Sequence, residues 1–196
     1  MNPLLTRNWE SLRSAVARLE STLPELEVCA SLIVEALATD HKVLAAGNGG
    51  SACDAFHLCE ELVGRYRQNR PAIAAVCLNA DSTALTCIGN DYGFEKIFSR
   101  QIEALGQGGD VLVLFTTSGN SENLVQAAQA ARSRGVKVVG FSGHQASRLT
   151  PYCDAQWVVE DQDGGARIQE MHTWATHVII ELIEERLFPA LSFPSA

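Results

Sequence analysis

The hydrophobic residues near the start of the chain follow the period of an amphipathic helix. Between Trp9 and Thr39 they recur every three or four residues. Pro24 is the one interruption, so the pattern predicts two helices or one broken helix. The apolar stripe of these helices needs a partner, which is either the rest of the domain or another subunit.

Further along, the pattern changes to short and continuous apolar runs, which suit strands that are covered on both faces. The runs are "KVLAAG" (42–47), "AIAAVCL" (72–78), "DVLVLFTT" (110–117), "KVVGFSG" (137–143) and "AQWVVE" (155–160). Helical patterns alternate with them at 51–66, about 94–105, 121–134 and about 167–187. This order predicts an α/β fold: a doubly wound, parallel, five-stranded sheet flanked by helices and preceded by an N-terminal helical extension.

The length and composition fit one domain, because 46% of the 196 residues are hydrophobic and can bury a sizeable core. We expect N-terminal helices over 1–40, which pack on the domain or on a neighbouring subunit. The α/β core is expected over 41–188, and a loose or subunit-docked tail over 189–196.

The net charge of −8 and the absence of a basic stripe argue against nucleic acid as the main ligand. Any anion site must therefore be built locally. The six cysteines form no C-x-x-C pair, and most lie in apolar runs, which indicates reduced thiols and a cytoplasmic protein. Neither a signal peptide nor an apolar stretch long enough to cross a bilayer is visible, so we expect no membrane partner.

Two hydroxyl-rich glycine turns follow predicted strands and lead into predicted helices. In "KVLAAGNGGS" the helix is expected to start near Ser51, and in "FTTSGNSENL" it is expected to start at Ser121. Helix N-termini favour anions, and the carboxyl ends of parallel strands share one edge, so both turns can face one pocket. Taken singly, either serine could be no more than an N-cap.

Neither turn matches G-x-G-x-x-G or the G-x-x-x-x-G-K-[ST] loop, which disfavours a dinucleotide or a nucleoside triphosphate. Hydroxyl-rich turns without lysine instead suggest a monophosphate.

A histidine and a glutamate share one face of the helix after the first turn. His57 and Glu61 are four residues apart, a spacing that suits a metal pair and equally a plain hydrogen bond. Glu60 borders the same face, so spacing ranks Glu61 first only narrowly. Arg65 follows Glu61 by four and could be a phosphate ligand or an intrahelical partner of Glu61.

The last predicted helix, "ARIQEMHTWATHVIIELIEERL", holds two further histidines. Periodicity leaves open whether His172 and His177 are core or surface residues. Gln169 and His177 are separated by about 12 Å along a regular helix and about 80° around it, so they are not an obvious chelating pair.

Four motifs in this order resemble the phosphoheptose isomerase family, which has the sugar isomerase (SIS) fold. They are "GNGGSACDAFHLCEELVGRYRQNRP", "GNDYGFEKIFSRQ", "GDVLVLFTTSGNSENL" and "RIQEMHTWATH". The resemblance implies conversion of sedoheptulose 7-phosphate to D-glycero-D-manno-heptose 7-phosphate through an enediol, the first step of ADP-heptose precursor biosynthesis. It also implies a homotetramer with active sites at subunit interfaces, which would resolve the spacing of Gln169 and His177.

The resemblance also assigns roles to individual positions. It implies one Zn²⁺ per site, with Glu61 and His177 as the acid-base pair. The implied zinc ligands are His57, Glu61, Gln169 and His177. The implied substrate-binding residues are Ser51, Thr116, Ser118 and Ser121 for the phosphate, Asn48, Arg65, Asp91 and Thr117 around the sugar, and Gly49, Gly50 and Gln169 beside them.

Two positions depart from the family pattern. Thr116 stands where serine is common, and Ala166 stands where some relatives carry an aspartate. The alternatives are a scaffold of the same fold that binds the bacterial replication initiator, a sugar-phosphate-sensing regulator, and other isomerases of the fold with zinc-free sites. Scaffold relatives lack the histidine and glutamate that this chain has at His57 and Glu61.

Overall fold

The computed structural model describes residues 2–161 and 165–190. Its helices are α1 (Pro3–Leu19), α2 (Leu23–Ala38), α3 (Gly50–Val63), α4 (Ser82–Tyr92), α5 (Ser99–Leu105), α6 (Glu122–Ser133) and α7 (Gly165–Leu187). Its strands are β1 (Val43–Gly47), β2 (Ala75–Cys77), β3 (Val111–Phe115), β4 (Lys137–Ser142) and β5 (Ala155–Val158).

The five strands form one parallel sheet in the order β2-β1-β3-β4-β5. The chain winds from β1 to one edge, returns to β3 beside β1, and then continues to the other edge. The direction of winding therefore reverses between β1 and β3, where Gly47 is in register with Phe115. This arrangement confirms the predicted doubly wound α/β fold, and such a reversal point is where open sheets bind ligands.

Alternate residues of the strands supply two cores, one on each face of the sheet. Val43 and Ala45 pack with α2, α3 and α7, whereas Leu44 and Ala46 pack with α5 and α6. Because both faces are covered by helices, the strands carry continuous apolar runs rather than alternating polar and apolar residues.

The N-terminal helices differ from the prediction in where they break. Pro24 lies in the first turn of α2, where the missing N–H has no intrahelical partner to lose, and the break is a 3₁₀ turn at Glu20–Thr22. The partner of α2 is the domain itself: Leu26 and Ile33 are buried in the same core as the sheet. The indole N–H of Trp157 donates to the Thr22 hydroxyl (2.9 Å).

Three other boundaries are corrected by the structure. The 72–78 run contributes only a short edge strand, Ala75–Cys77. The helix predicted over 94–105 is a 3₁₀ turn at Phe94–Lys96 followed by α5. Helix α4 was not predicted, because it packs only a short stripe on the core, which includes the partly buried Leu85 and Ile88.

All six cysteines are free thiols; Cys29, Cys59 and Cys77 are buried, whereas Cys53 and Cys87 are exposed. Across residues 2–161 and 165–190, no helix is long and apolar enough to cross a membrane. Most of the predicted tail, 191–196, lies outside the described residues.

Candidate functional site

The first glycine turn leads directly from β1 into α3. Gly49 has φ 58°, in the left-handed region that favours glycine, and it occupies the N-cap position of α3. A side chain at Gly47 would overlap the backbone of Ser51. Ser51 lies inside the helix and is buried, and no side chain caps the helix. The interpretation of Ser51 as a plain N-cap is therefore wrong.

The second turn is folded by its own hydroxyls. Thr116 is buried, and its hydroxyl accepts a hydrogen bond from the backbone N–H of Gly119 (3.0 Å). Gly119 has φ 66°. The Ser118 hydroxyl accepts from the N–H of Asn120 (3.2 Å). Ser121 does occupy the N-cap position of α6, but its side chain makes no capping hydrogen bond. Its hydroxyl is therefore not used to cap the helix.

The two turns meet at one cavity, as the argument from strand ends predicts. The side-chain amides of Asn48 and Asn123 hydrogen-bond to each other twice, at 2.8 and 2.9 Å, and join the turn after β1 to the first turn of α6. A cavity of about 640 Å³ lies beside this pair, with Gly49 and Ser121 in its lining. The size suits a small phosphorylated molecule rather than a macromolecule.

A cluster of two imidazoles and a carboxylate lies where α3 packs against α7. The Nε2 atoms of His57 and His177 are 3.2 Å apart, and His57 Nε2 lies 3.5 Å from Glu61 Oε1. One potential ligand atom of each residue lies within 4.8 Å of the other two. Glu60 is exposed and outside the cluster, so the structure resolves the narrow choice between the two glutamates.

The donor set of this cluster fits a zinc ion. Tetrahedral Zn²⁺ with ligand bonds near 2.0–2.2 Å needs donor atoms about 3.3 Å apart. The separations of 3.2 Å between His57 and His177 and 3.5 Å between His57 and Glu61 match this spacing, and the ligand atoms of Glu61 and His177 lie within 4.8 Å of each other. Two neutral imidazoles and one carboxylate are also ligands that zinc prefers, and three protein ligands leave one position open.

Gln169 belongs to α7, and its side chain packs against Gly50, the first residue of α3. Its side-chain amide packs so closely on Gly50 that any Cβ there would overlap it. The hydroxyl of Thr173 donates both to the backbone carbonyl of Gln169 (3.1 Å) and to Asp54 Oδ1 (2.8 Å). Gln169 thus lies at the α3–α7 contact, at the helix end opposite to Glu61.

Asp54 is a buried carboxylate that sequence reasoning missed. Its Oδ2 atom has no hydrogen-bond partner, and burial raises the pKa of Asp54 to about 6. The spacing of three residues between Asp54 and His57 was the only sequence signal for it, because that spacing places both on neighbouring positions of one helix face.

His172 is a core residue rather than a ligand. It is fully buried against Phe115, Phe141 and Trp157, and neither ring nitrogen has a hydrogen-bond partner of good geometry. Burial lowers the pKa of His172 to about 3, so the ring is neutral in the folded protein at neutral pH.

Three of the predicted substrate ligands lie outside the cluster: Arg65 and Asp91 make local contacts, and the Thr117 backbone bonds to the turn after β4. Helix α3 ends before Arg65, whose guanidinium donates to the carbonyl of Arg67 (3.5 Å), so the expected intrahelical pair with Glu61 does not form. Asp91 is exposed at the end of α4 and accepts from Asn90. Thr117 is half-buried, and its carbonyl accepts from Gly143 N–H (3.1 Å).

Sequence and structure comparisons identify the family to which this chain belongs. Residues 9–143 match the SIS domain family. The phosphoheptose isomerase of Nitratiruptor sp. is 48% identical over 178 residues, which cover 90% of this chain and 89% of that protein. The phosphoheptose isomerase of Helicobacter hepaticus is 40% identical over 184 residues, covering 94% and 93%.

Solved structures show the same likeness. A phosphoheptose isomerase from Francisella tularensis superposes with a TM-score of 0.89 at 32% identity, covering 94% of this chain and 100% of that one. The phosphoheptose isomerase from Neisseria gonorrhoeae gives a TM-score of 0.85 at 38% identity, covering 92% and 97%. The chain therefore belongs to the SIS domain family and, within it, to the phosphoheptose isomerases.

Proposed function

We propose that the protein isomerises sedoheptulose 7-phosphate to D-glycero-D-manno-heptose 7-phosphate, the first step of ADP-heptose precursor biosynthesis. The observation that carries this proposal is the cluster of His57, Glu61 and His177 in a chain of this family. Helix α3, which carries two of these residues, begins at the first hydroxyl-rich turn. An aldose-ketose isomerisation transfers a proton between C1 and C2 through an enediol, so it needs a base at the carbons and a proton carrier at the oxygens.

Glu61 and His177 are the proposed acid-base pair. Glu61 takes the proton from one carbon and returns it to the other, while His177 carries protons at the two oxygens. Their placement on different helices supports this division, since α3 and α7 can present the two groups to different atoms of one substrate. The stacking of Tyr66 on His177, with ring centroids 5.4 Å apart, holds the imidazole plane.

His57, Glu61 and His177 are the proposed protein ligands of a zinc ion, with Gln169 as a fourth. The donor spacing supports the first three. Gln169 lies against Gly50, about 16 Å along α3 from Glu61, so the proposed fourth ligand comes from a neighbouring subunit. When bound, zinc supplies Lewis-acid stabilisation of negative charge that develops on the substrate oxygens.

The phosphate is proposed to bind at the second turn and at the start of α3. Ser118 and Ser121 supply hydroxyls there, and Ser51 lies in the first turn of α3, where the helix dipole favours an anion. Thr116 shapes this turn through its bond to Gly119. The proposed contacts to the rest of the substrate come from Asn48, Gly49, Gly50, Arg65, Asp91, Thr117 and Gln169.

Arg65 and Asp91 point to a larger assembly. Both are exposed in the single chain, so a site completed by a neighbouring subunit is the arrangement in which they can bind substrate. We therefore propose a homotetramer of single SIS domains with active sites at subunit interfaces. The six free cysteines support a cytoplasmic location, where thiols stay reduced.

The decisive experiment is metal analysis of the purified protein, combined with turnover of sedoheptulose 7-phosphate before and after chelation. We expect about one zinc per chain, as one three-residue donor set predicts, and turnover that is lost on chelation and restored by added Zn²⁺. A protein with neither metal nor turnover would contradict the proposal and favour the replication-initiator scaffold.

A further inference from the structure

The segment that follows α3 turns back along α7 and contacts the face that carries His177. Tyr66 stacks on His177, with an angle of 19° between the ring planes. Four residues later, Arg70 forms an ion pair with Glu184, with Nε and Oε1 2.7 Å apart. Glu184 lies seven residues after His177, which is two helical turns further along the same face. The segment 66–70 therefore contacts α7 at His177 and again two helical turns later, at Glu184.

The ion pair of Arg70 and Glu184 is completely buried. Both side chains are 0% exposed, and the second carboxylate oxygen of Glu184 has no hydrogen-bond partner. Two charges in such a place carry a large desolvation cost, and a buried ion pair is weak evidence for stability, since apolar replacements of similar volume are often as stable. The pair therefore calls for an explanation other than stability.

Besides a bond to the carbonyl of Pro71 (3.1 Å), Arg70 donates two hydrogen bonds to the end of α3. Its Nη2 donates to the backbone carbonyl of Glu61 (2.6 Å), and its Nη1 donates to the carbonyl of Leu62 (2.9 Å). Helix α3 ends at Val63, so these carbonyls are among the last four, which lack partners within the helix. Arg70 thus joins the backbone of Glu61 on α3 to Glu184 on α7.

We propose that Arg70 and Glu184 are a positioning pair that fixes Glu61 relative to His177. Neither side chain touches the two imidazoles or the carboxylate of the cluster; together they hold the two helices that carry it. The inference rests on the proposed function for the reaction it names, although the geometry of the cluster can be measured without turnover. Active groups must be held to about 0.5 Å, and a misplacement of about 1 Å can cost about 100-fold in rate.

A double variant separates positioning from folding. Removing one partner alone would strand a buried charge and unfold part of the domain. Arg70→Met/Glu184→Leu removes both charges at similar volume, which keeps the fold but deletes the two bonds to the α3 carbonyls. Thermal melting and circular dichroism establish that the double variant is folded.

The chain offers a matched control on the same helix. Arg186 of α7 forms an ion pair with Glu27 of α2 (3.1 Å), and their side chains are 32% and 68% exposed. Arg186→Met/Glu27→Leu removes an equal charge pair without touching the α3 carbonyls or Tyr66. We expect the control to keep the turnover, zinc affinity and histidine spectra of the wild type.

The test measures three quantities in both double variants: kcat and KM for sedoheptulose 7-phosphate, the zinc dissociation constant by chelator competition, and the ring ¹⁵N resonances of His57 and His177 without metal. For Arg70→Met/Glu184→Leu we expect kcat to fall by about 100-fold with little change in KM. We also expect zinc affinity to fall by about tenfold or more and both ring resonances to shift.

The outcomes distinguish this inference from the proposed function. Values of kcat, zinc affinity and ring resonances equal to those of the surface control, in a folded variant, would overturn the positioning role. A wild-type protein that does not turn over the sugar phosphate would overturn the proposed function, and the metal-free resonances would still decide the positioning role.

Discussion

The side-chain amides of Asn48 and Asn123 are paired face to face, with two hydrogen bonds of 2.8 and 2.9 Å between them. Asn48 follows β1 and Asn123 lies in the first turn of α6, so the pair joins the two loops at the point where the sheet reverses its winding. Asn123 is buried. The geometry of the anion site therefore depends on a residue that need not contact the ligand.

Asn123→Ala is expected to weaken substrate binding. Two neutral hydrogen bonds at about 1 kcal/mol each are lost, so KM for sedoheptulose 7-phosphate rises by up to about 30-fold while kcat changes little. Asn8→Ala is the control, because its amide donates only to the Leu4 carbonyl on the exposed face of α1. Steady-state kinetics check this, and equal KM values for the two variants would contradict a role for the amide pair.

Gly50→Ala tests the proposed role of Gln169. The new methyl group would overlap the end of the Gln169 side chain, which can rotate away, so the fold should survive while the amide leaves its position. If Gln169 is a zinc ligand, zinc affinity falls by about tenfold or more. Chelator competition measures this change.

Gly89→Ala is the matched control for that experiment. A Cβ there would lie 3.7 Å from the Ile97 side chain, an ordinary contact, and Gly89 lies within α4. Alanine is favoured over glycine in a helix by about 1 kcal/mol, so this variant should be at least as stable as the wild type and bind zinc equally well. Equal zinc affinities for both alanine variants would exclude Gln169 as a ligand.

His172 should make the fold sensitive to acid. Its pKa is about 3 in the folded protein because of burial, against 6.5 when exposed, so between these values only the unfolded chain is protonated there. The unfolded state then binds more protons, and the free energy of unfolding falls as the pH decreases below 6.5, by about 1.4 kcal/mol per pH unit from this group.

His172→Leu removes that contribution. Urea unfolding with a chelator present, at about pH 7.5 and about pH 5, should show the wild type losing about 2 kcal/mol more than the variant over this interval. An equal loss in both proteins would mean that His172 is protonated in the folded state.

Much of the fold could be predicted from the sequence, because strands buried on both faces leave continuous apolar runs such as 110–117. The elements that were predicted wrongly are those that bury few apolar side chains or lie at an edge of the sheet. The apolar stripe of helix α4 is short, with the partly buried Leu85 and Ile88 packed on the core. The edge strand β2 pairs on one side only, over three residues of a longer apolar run. Pro24 marks a helix start as readily as a break.

The site was predictable where one helix carries it and not where two helices meet. The spacing of His57 and Glu61 places both on one face of α3, but only the packing of α3 on α7 brings His177 to 3.2 Å from His57. Asn123, Asp54 and Arg70 were missed because their roles depend on contacts between distant parts of the chain, and no spacing in the sequence encodes these contacts.

The role of Glu61 as the base is the central claim of the proposed function. It is tested most directly by measuring kcat of Glu61→Gln with sedoheptulose 7-phosphate and comparing it with kcat of Glu60→Gln. Glu60 is the exposed neighbour of Glu61, so its variant should turn over like the wild type. Losing the base should lower kcat of Glu61→Gln by about 100-fold or more. Near-normal turnover by Glu61→Gln would contradict the assignment of Glu61 as the base at the carbons.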